Sequence, residues 1–106
     1  MARNAQDQIE RDWGETIALM KVLCNPIRLY IVTELLGGDE CSVGYFVSKL
    51  KLEFSVISKH LSILRHAGIV TSVRDTQWVY YKLSSPKTAS FVRELEKLNE
   101  TLIRES

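Results

Sequence analysis

The stretch Val56-Ile57-Ser58-Lys59-His60-Leu61-Ser62-Ile63-Leu64-Arg65-His66-Ala67-Gly68-Ile69-Val70 decides the fold. Leu61, Leu64 and Ala67 fall three residues apart and, with Ile57 and Ile63, define a helix face that has to be buried, while Ser55, Ser58, Lys59 and Ser62 point elsewhere. Gly68 stops the helix, and Ile69-Val70 leads straight into an extended segment. A short helix with an apolar underside and a polar leading turn has the layout of an element that lies in the groove of a duplex.

Upstream, Lys51-Leu52-Glu53-Phe54 is long enough only for the turn of a helix-turn-helix, which makes Ser55 the predicted cap of the second helix. The first helix of that pair is predicted over residues 43–50, with Val43, Phe46, Val47 and Leu50 inward, after a brief extended segment at Cys41-Ser42-Val43. Before it, Asn25-Pro26 opens a helix whose Ile27, Leu29, Tyr30, Ile31, Val32, Leu35 and Leu36 wrap most of its circumference, so it is expected to be central. Gly37-Gly38 ends it. The chain starts with a longer helical pattern over residues 5–23, in which Ile9, Trp13, Ile17, Met20 and Leu23 share a face.

Downstream, residues 69–74 and 77–83 are rich in β-branched and aromatic side chains and flank Asp75-Thr76, which predicts a β-hairpin. Trp78 and Tyr80 should share one face and Tyr81 the other, with most of this aromatic mass expected in the core. Ser84-Ser85-Pro86 restarts a helix, and Phe91, Leu95, Leu98 and Leu102 give it an apolar stripe. The order is α-α-α-α-β-β-α: a mainly helical fold with a small hairpin, in which a helix-turn-helix carries a wing. Residues 1–106 are expected to form one such domain, with no repeat or linker to divide them. The wing tip holds Arg74, Asp75, Thr76 and Gln77; Arg74 is placed to meet a phosphate or a minor groove, and Asp75 to shape the turn.

The formal net charge of +1 does not announce a polyanionic partner. Its distribution does: between Ser48 and Lys82 stand six basic residues (Lys49, Lys51, Lys59, Arg65, Arg74, Lys82) against two acidic ones (Glu53, Asp75). A basic middle between acidic arms suits one phosphate-facing surface, although an uneven solvated surface accounts for the charges alone. No apolar run reaches the roughly 18 residues of a membrane span, and Met-Ala-Arg-Asn-Ala-Gln-Asp has no signal-peptide core, so a cytoplasmic protein with no membrane partner is expected. Neither a Gly-rich phosphate loop nor a catalytic constellation is present, which argues against an enzyme and against a cofactor.

Four segments in this order, Leu23-Cys24-Asn25-Pro26-Ile27-Arg28-Leu29, Ser55-Val56-Ile57-Ser58-Lys59-His60-Leu61, Leu64-Arg65-His66-Ala67-Gly68-Ile69-Val70 and Trp78-Val79-Tyr80-Tyr81-Lys82-Leu83, resemble the ArsR/SmtB family of small prokaryotic repressors. The resemblance implies a homodimer joined by its first and last helices, two reading helices set against a palindromic operator, and repression relieved by an inducer. The residues support a dimer independently: the stripes of Ile9, Trp13 and Ile17 and of Phe91, Leu95, Leu98 and Leu102 lie at the two ends of the chain and can form a shared seam. Packing of both helices on their own core is the alternative.

The metal-sensing members carry a Cys-Val-Cys motif where this chain has Ser42 and Gly44, with Cys41 one residue early. A second family site uses Asp and His on the last helix, where this chain offers only Glu and Asn. Such donors make a poor zinc site, so no metal is expected. Cys24 and Cys41 flank a helix that spans about 18 Å, too far for a disulfide within one subunit. They are either structural thiols, both buried, or sensing thiols for a redox, sulfur or arsenite inducer, with Cys24 ahead of a helix N-terminus and Cys41 behind Asp39-Glu40. The residues name no inducer.

His66 is expected to serve its own helix end, and His60 to donate to a phosphate or base edge. Double-stranded DNA is therefore the expected partner. Ser55, Val56, Ser58, Lys59 and His60 on the reading helix and Arg74 and Gln77 on the wing form the expected contact surface. A winged helix used only for protein interaction or dimerisation is the competing reading.

Overall fold

Asn25 accepts hydrogen bonds on Oδ1 from the N–H groups of Ile27 at 2.9 Å and Arg28 at 3.1 Å, and Pro26 occupies the first helical position. The second helix therefore starts where the sequence places it, because cap and proline satisfy or remove the free donors of its first turn. The computed structural model describes residues 4–105. Met1, Ala2 and Arg3 of the polar N-terminal stretch, and Ser106, lie outside the described residues. The elements run α1 (Ala5–Leu23), α2 (Pro26–Leu35), β1 (Cys41–Ser42), α3 (Val43–Leu50), α4 (Phe54–His66), β2 (Val70–Asp75), β3 (Trp78–Leu83) and α5 (Pro86–Glu105).

The core is one cluster, with Ile31, Val32 and Leu35 of α2, Phe46 of α3, Ile57, Leu61 and Leu64 of α4, Ile69, Val70 and Val92 all buried. α2 packs on α1, α4, α5 and β3. Its central position follows from its all-round apolar character, although Leu29 stays exposed.

The sheet has three strands in the order β1-β3-β2, one more than the sequence led us to expect. Cys41 pairs with Tyr81 and Ser42 with Tyr80, so β1 covers the free edge of the wing hairpin next to α3. Two residues carry no alternation of their own; their strand character comes from the edge they satisfy. The hairpin turn is also shifted by one residue. Asp75 pairs with Trp78, leaving Thr76 and Gln77 as the turn, with Thr76 in the left-handed region at φ 56°.

α4 begins one residue before the predicted cap. Lys51 adopts φ 58° and donates its N–H to the Val47 carbonyl at 2.9 Å, closing α3 within a single residue. The chain is thereby ready to turn again at Glu53, which takes the cap position without a side-chain bond, and Ser55 becomes a helical residue instead of the cap. At the other end Ala67 is the exposed C-cap and not part of the buried face. Gly68 follows at φ 76°, and Ile69 donates to the Leu64 carbonyl at 3.0 Å before β2 starts. No single described helix is long and apolar enough to cross a membrane.

Candidate nucleic-acid interface

Burial of Ile57, Leu61 and Leu64 fixes the roll of α4 about its axis. Once these three are inward, Ser55 and Lys59 are exposed and Val56, Ser58 and His60 are half-buried at the flanks, so all five expected contact residues of the reading helix retain accessible surface. Arg74 and Gln77 are exposed on the wing, Arg74 near the end of β2 and Gln77 in the turn itself. The N-terminal end of α4, where Ser55 and Val56 sit, also presents the positive end of the helix dipole, favourable for a phosphate, although the Val56 N–H already donates to the Glu53 carbonyl at 3.1 Å.

The basic residues of this region are not tied up. The ion pairs of the described residues, Lys87 with Glu15 at 2.6 Å, Lys97 with Glu94 at 3.1 Å and Arg104 with Glu100 at 3.4 Å, all involve α1 or α5. Among the described residues none of Lys49, Lys51, Lys59, Arg65, Arg74 and Lys82 is bridged to a carboxylate, and Lys49 instead lies 5.6 Å from the centre of the Tyr45 ring. Cations left unpaired next to an exposed helix are what a phosphate backbone can use.

Two hydrogen-bonded clusters tie neighbouring helices together. Glu34 Oε1 accepts from the Tyr30 hydroxyl at 2.6 Å and from the Tyr45 hydroxyl at 3.2 Å, joining α2 to α3. The carboxylate beside it, with some burial, pushes the Tyr30 phenol up to about 12. Arg28 forms the second cluster, with Nη1 3.3 Å from Nδ1 of His60 and Nε donating to the Val22 carbonyl at 2.6 Å. Burial, reinforced by the charges of Arg28 and Lys59, lowers the His60 pKa below its ordinary value. Sequence reasoning treated His60 as a free donor and missed Arg28; the only signal was its place in the Asn25-Pro26-Ile27-Arg28 segment. His66 lies apart from this network, its Nδ1 2.8 Å from the Ser62 carbonyl oxygen of its own helix.

Three further expectations need adjustment. Trp78 is 56% exposed, because its partner Asp75 lies at the wing tip beyond the reach of the core; Tyr81 alone of the three wing aromatics packs on the central cluster. Cys24 is exposed and Cys41 buried, so the two thiols do not share a structural role. Burial and the carboxylates of Glu34 and Asp39 raise the Cys41 pKa. On the terminal helices, Ile9, Trp13, Leu98 and Leu102 are exposed and Ile17 half-buried, whereas Phe91 and Leu95 already pack on this chain's own core. An apolar groove of about 440 Å³ runs between α1, α2 and α5, bounded by Met20, Leu23, Leu29, Leu95, Leu98 and Leu102.

Residues 25–72, which hold α2, α3, α4 and the start of β2, match the family model described as bacterial regulatory protein, arsR family. The transcriptional activator HlyU of Vibrio cholerae is 35% identical over 91 residues, covering 86% of this chain and 83% of that protein. The biofilm growth-associated repressor of Xylella fastidiosa is 32% identical over 90 residues, covering 85% of this chain and 78% of that protein. Among solved structures, HlyU of Vibrio cholerae superposes with a TM-score of 0.77 at 36% identity over 84% of this chain and 96% of that one. The repressor BigR of Xylella fastidiosa gives 0.75 at 29% identity over 90% of this chain and 96% of that one. With a winged helix, an accessible reading helix and this degree of likeness across most of its length, the chain belongs to the ArsR family of DNA-binding transcription regulators.

Proposed function

We propose that this protein is a single-domain, homodimeric repressor that acts in the cytoplasm on a palindromic operator. Two α4 helices occupy successive major grooves of one face of the duplex and two wings reach the flanking backbone. Ser55 and Ser58 hydrogen-bond to phosphates or bases, Val56 meets a thymine methyl, Lys59 supplies charge, His60 donates from its ring, and Arg74 with Gln77 holds the wing to the backbone. The observation that carries this reading is the accessible flank of α4, together with the lysines and arginines of residues 48–82, which have no carboxylate partner among the described residues.

The exposed apolar residues of the terminal helices supply the dimer. Ile9, Trp13, Leu98 and Leu102 leave a large apolar surface uncovered, and a second copy of the same face covers both stripes at once. Ile17 lies at the edge of this seam, and Phe91 and Leu95 support it from the core side.

Fluorescence anisotropy with a duplex from the promoter of its own gene tests the reading. Saturable binding is expected. Arg74→Ala should weaken binding to every duplex and flatten its salt dependence, whereas Val56→Ala and Ser58→Ala should alter the preference between sequences. Sedimentation should give a dimer that Leu98→Glu with Leu102→Glu dissociates. A monomer, or equal effects of the three α4 and wing substitutions on random DNA, would sink the proposal.

A further inference from the structure

One side chain joins three helices. Arg28 belongs to the first turn of α2, where its own N–H is held by the Asn25 cap at 3.1 Å. Its Nε reaches back to the Val22 carbonyl in the last turn of α1 at 2.6 Å, and its Nη1 reaches forward to His60 Nδ1 in the middle of α4 at 3.3 Å. A guanidinium has donors only and does not lose its proton in a protein, so Nδ1 of His60 has to be the acceptor. That choice leaves the ring neutral with its single hydrogen on Nε2. His60 as a whole is half-buried, and its ring is held at the Nδ1 edge.

We propose that Arg28 is a positioning residue for DNA recognition: by holding His60 at Nδ1 it presents Nε2–H as a directional donor to the duplex and ties the placement of α4 to the junction of α1 and α2. The inference rests on α4 being the DNA-facing helix. The charged groups that act on His60 are Arg28 from α2 and Lys59 from its own helix, both cations. Protonating the ring would set an N–H against the guanidinium and add a third positive charge, so the clamp holds while the ring is neutral and opens in acid. Movement at the end of α1, which carries the Val22 carbonyl, reaches the recognition surface through the same two bonds.

The test combines nitrogen-15 NMR of the histidine rings in the free full-length chain with operator binding by anisotropy. The variants are Arg28→Gln, Arg28→Lys, His60→Ala and the double variant Arg28→Gln with His60→Ala. In the wild type His60 should show a bare Nδ1, a protonated Nε2 and a midpoint below its ordinary 6.5. Arg28→Gln should give mixed tautomers and a higher midpoint, and Arg28→Lys, which keeps the charge but not the two-pronged reach, should fall between. Arg28→Gln and His60→Ala should each lose about tenfold in operator affinity, the scale of one charge-assisted hydrogen bond, and the double variant should lose no more than either.

A proton on Nδ1 in the wild type overturns the clamp without any variant having to fold. Additive losses in the double variant, or full affinity in His60→Ala with the expected tautomer, overturn its role in recognition. Failure of the wild type to bind duplex at all would instead overturn the function proposed above.

Discussion

The Ser84 hydroxyl donates to the carbonyl oxygen of Gly68 at 2.6 Å, while the Ser84 N–H donates to the Ile69 carbonyl at 2.9 Å. The exit of the reading helix and the entry to α5 are therefore fastened to each other at the base of the wing. Ser84→Ala should cost about 1 kcal/mol, the net worth of one hydrogen bond, seen as a lower urea midpoint with an unchanged slope. Gly68→Ala should cost about 1–2 kcal/mol by left-handed strain alone, since a methyl group there meets no atom within 4 Å at φ 76°. Wild-type stability in either variant would contradict this account of the wing base.

Thr76 stands at φ 56°, a conformation that a β-branched residue rarely adopts, in a turn of two residues. Thr76→Asn should stabilise the chain by about 0.5–1 kcal/mol, because asparagine tolerates the left-handed region better. Thermal unfolding should show a rise of a few degrees. A fall in the midpoint would mean that the bond of Thr76 Oγ1 to the Asp75 carbonyl at 2.6 Å outweighs the strain.

The two thiols should separate cleanly in a reactivity assay. Cys24 is exposed, and Cys41 is 8% exposed with its pKa raised by burial and the carboxylates of Glu34 and Asp39. At pH 8 one thiol should react promptly with a disulfide reagent and the second only in denaturant, because a raised pKa keeps Cys41 as the unreactive thiol. Cys24→Ser should remove the prompt phase. If Cys41→Ser removes it instead, the burial assigned to Cys41 is wrong.

The Tyr30–Glu34 bond makes an alkaline prediction. The Tyr30 pKa rises from 10.0 to about 12, first through its hydrogen bond to Glu34. A group whose folded pKa lies above its unfolded value lends stability that is complete below the unfolded value and is lost as pH climbs through the folded one. Stability of the wild type should therefore fall between about pH 10 and pH 12 more steeply than that of Glu34→Gln, as judged by urea midpoints. Parallel curves for the two proteins would remove Glu34 as the cause.

Much of the architecture is local chemistry and could be read directly. The period of Ile57, Leu61 and Leu64 makes α4 a helix with one buried face, Asn25-Pro26 opens α2, and Gly68 closes the reading helix. These signals act within a few residues and need no partner, so the residue types alone carry them. The family segments were legible for the same reason, as was the roll of α4 that leaves Ser55 and Lys59 outward.

Only the tertiary structure decided the rest. The extended backbone at Cys41-Ser42 was legible, but its pairing with the free edge of β3 was not. The shared stripe of α5 splits into Phe91 and Leu95 on the core and Leu98 and Leu102 outside, because the body of the domain ends before the helix does. His60 meets Arg28, 32 residues away in the chain, at 3.3 Å, and burial together with that guanidinium lowers its pKa. Contacts of that range depend on where whole elements pack, and periodicity, which repeats within a few residues, cannot encode them.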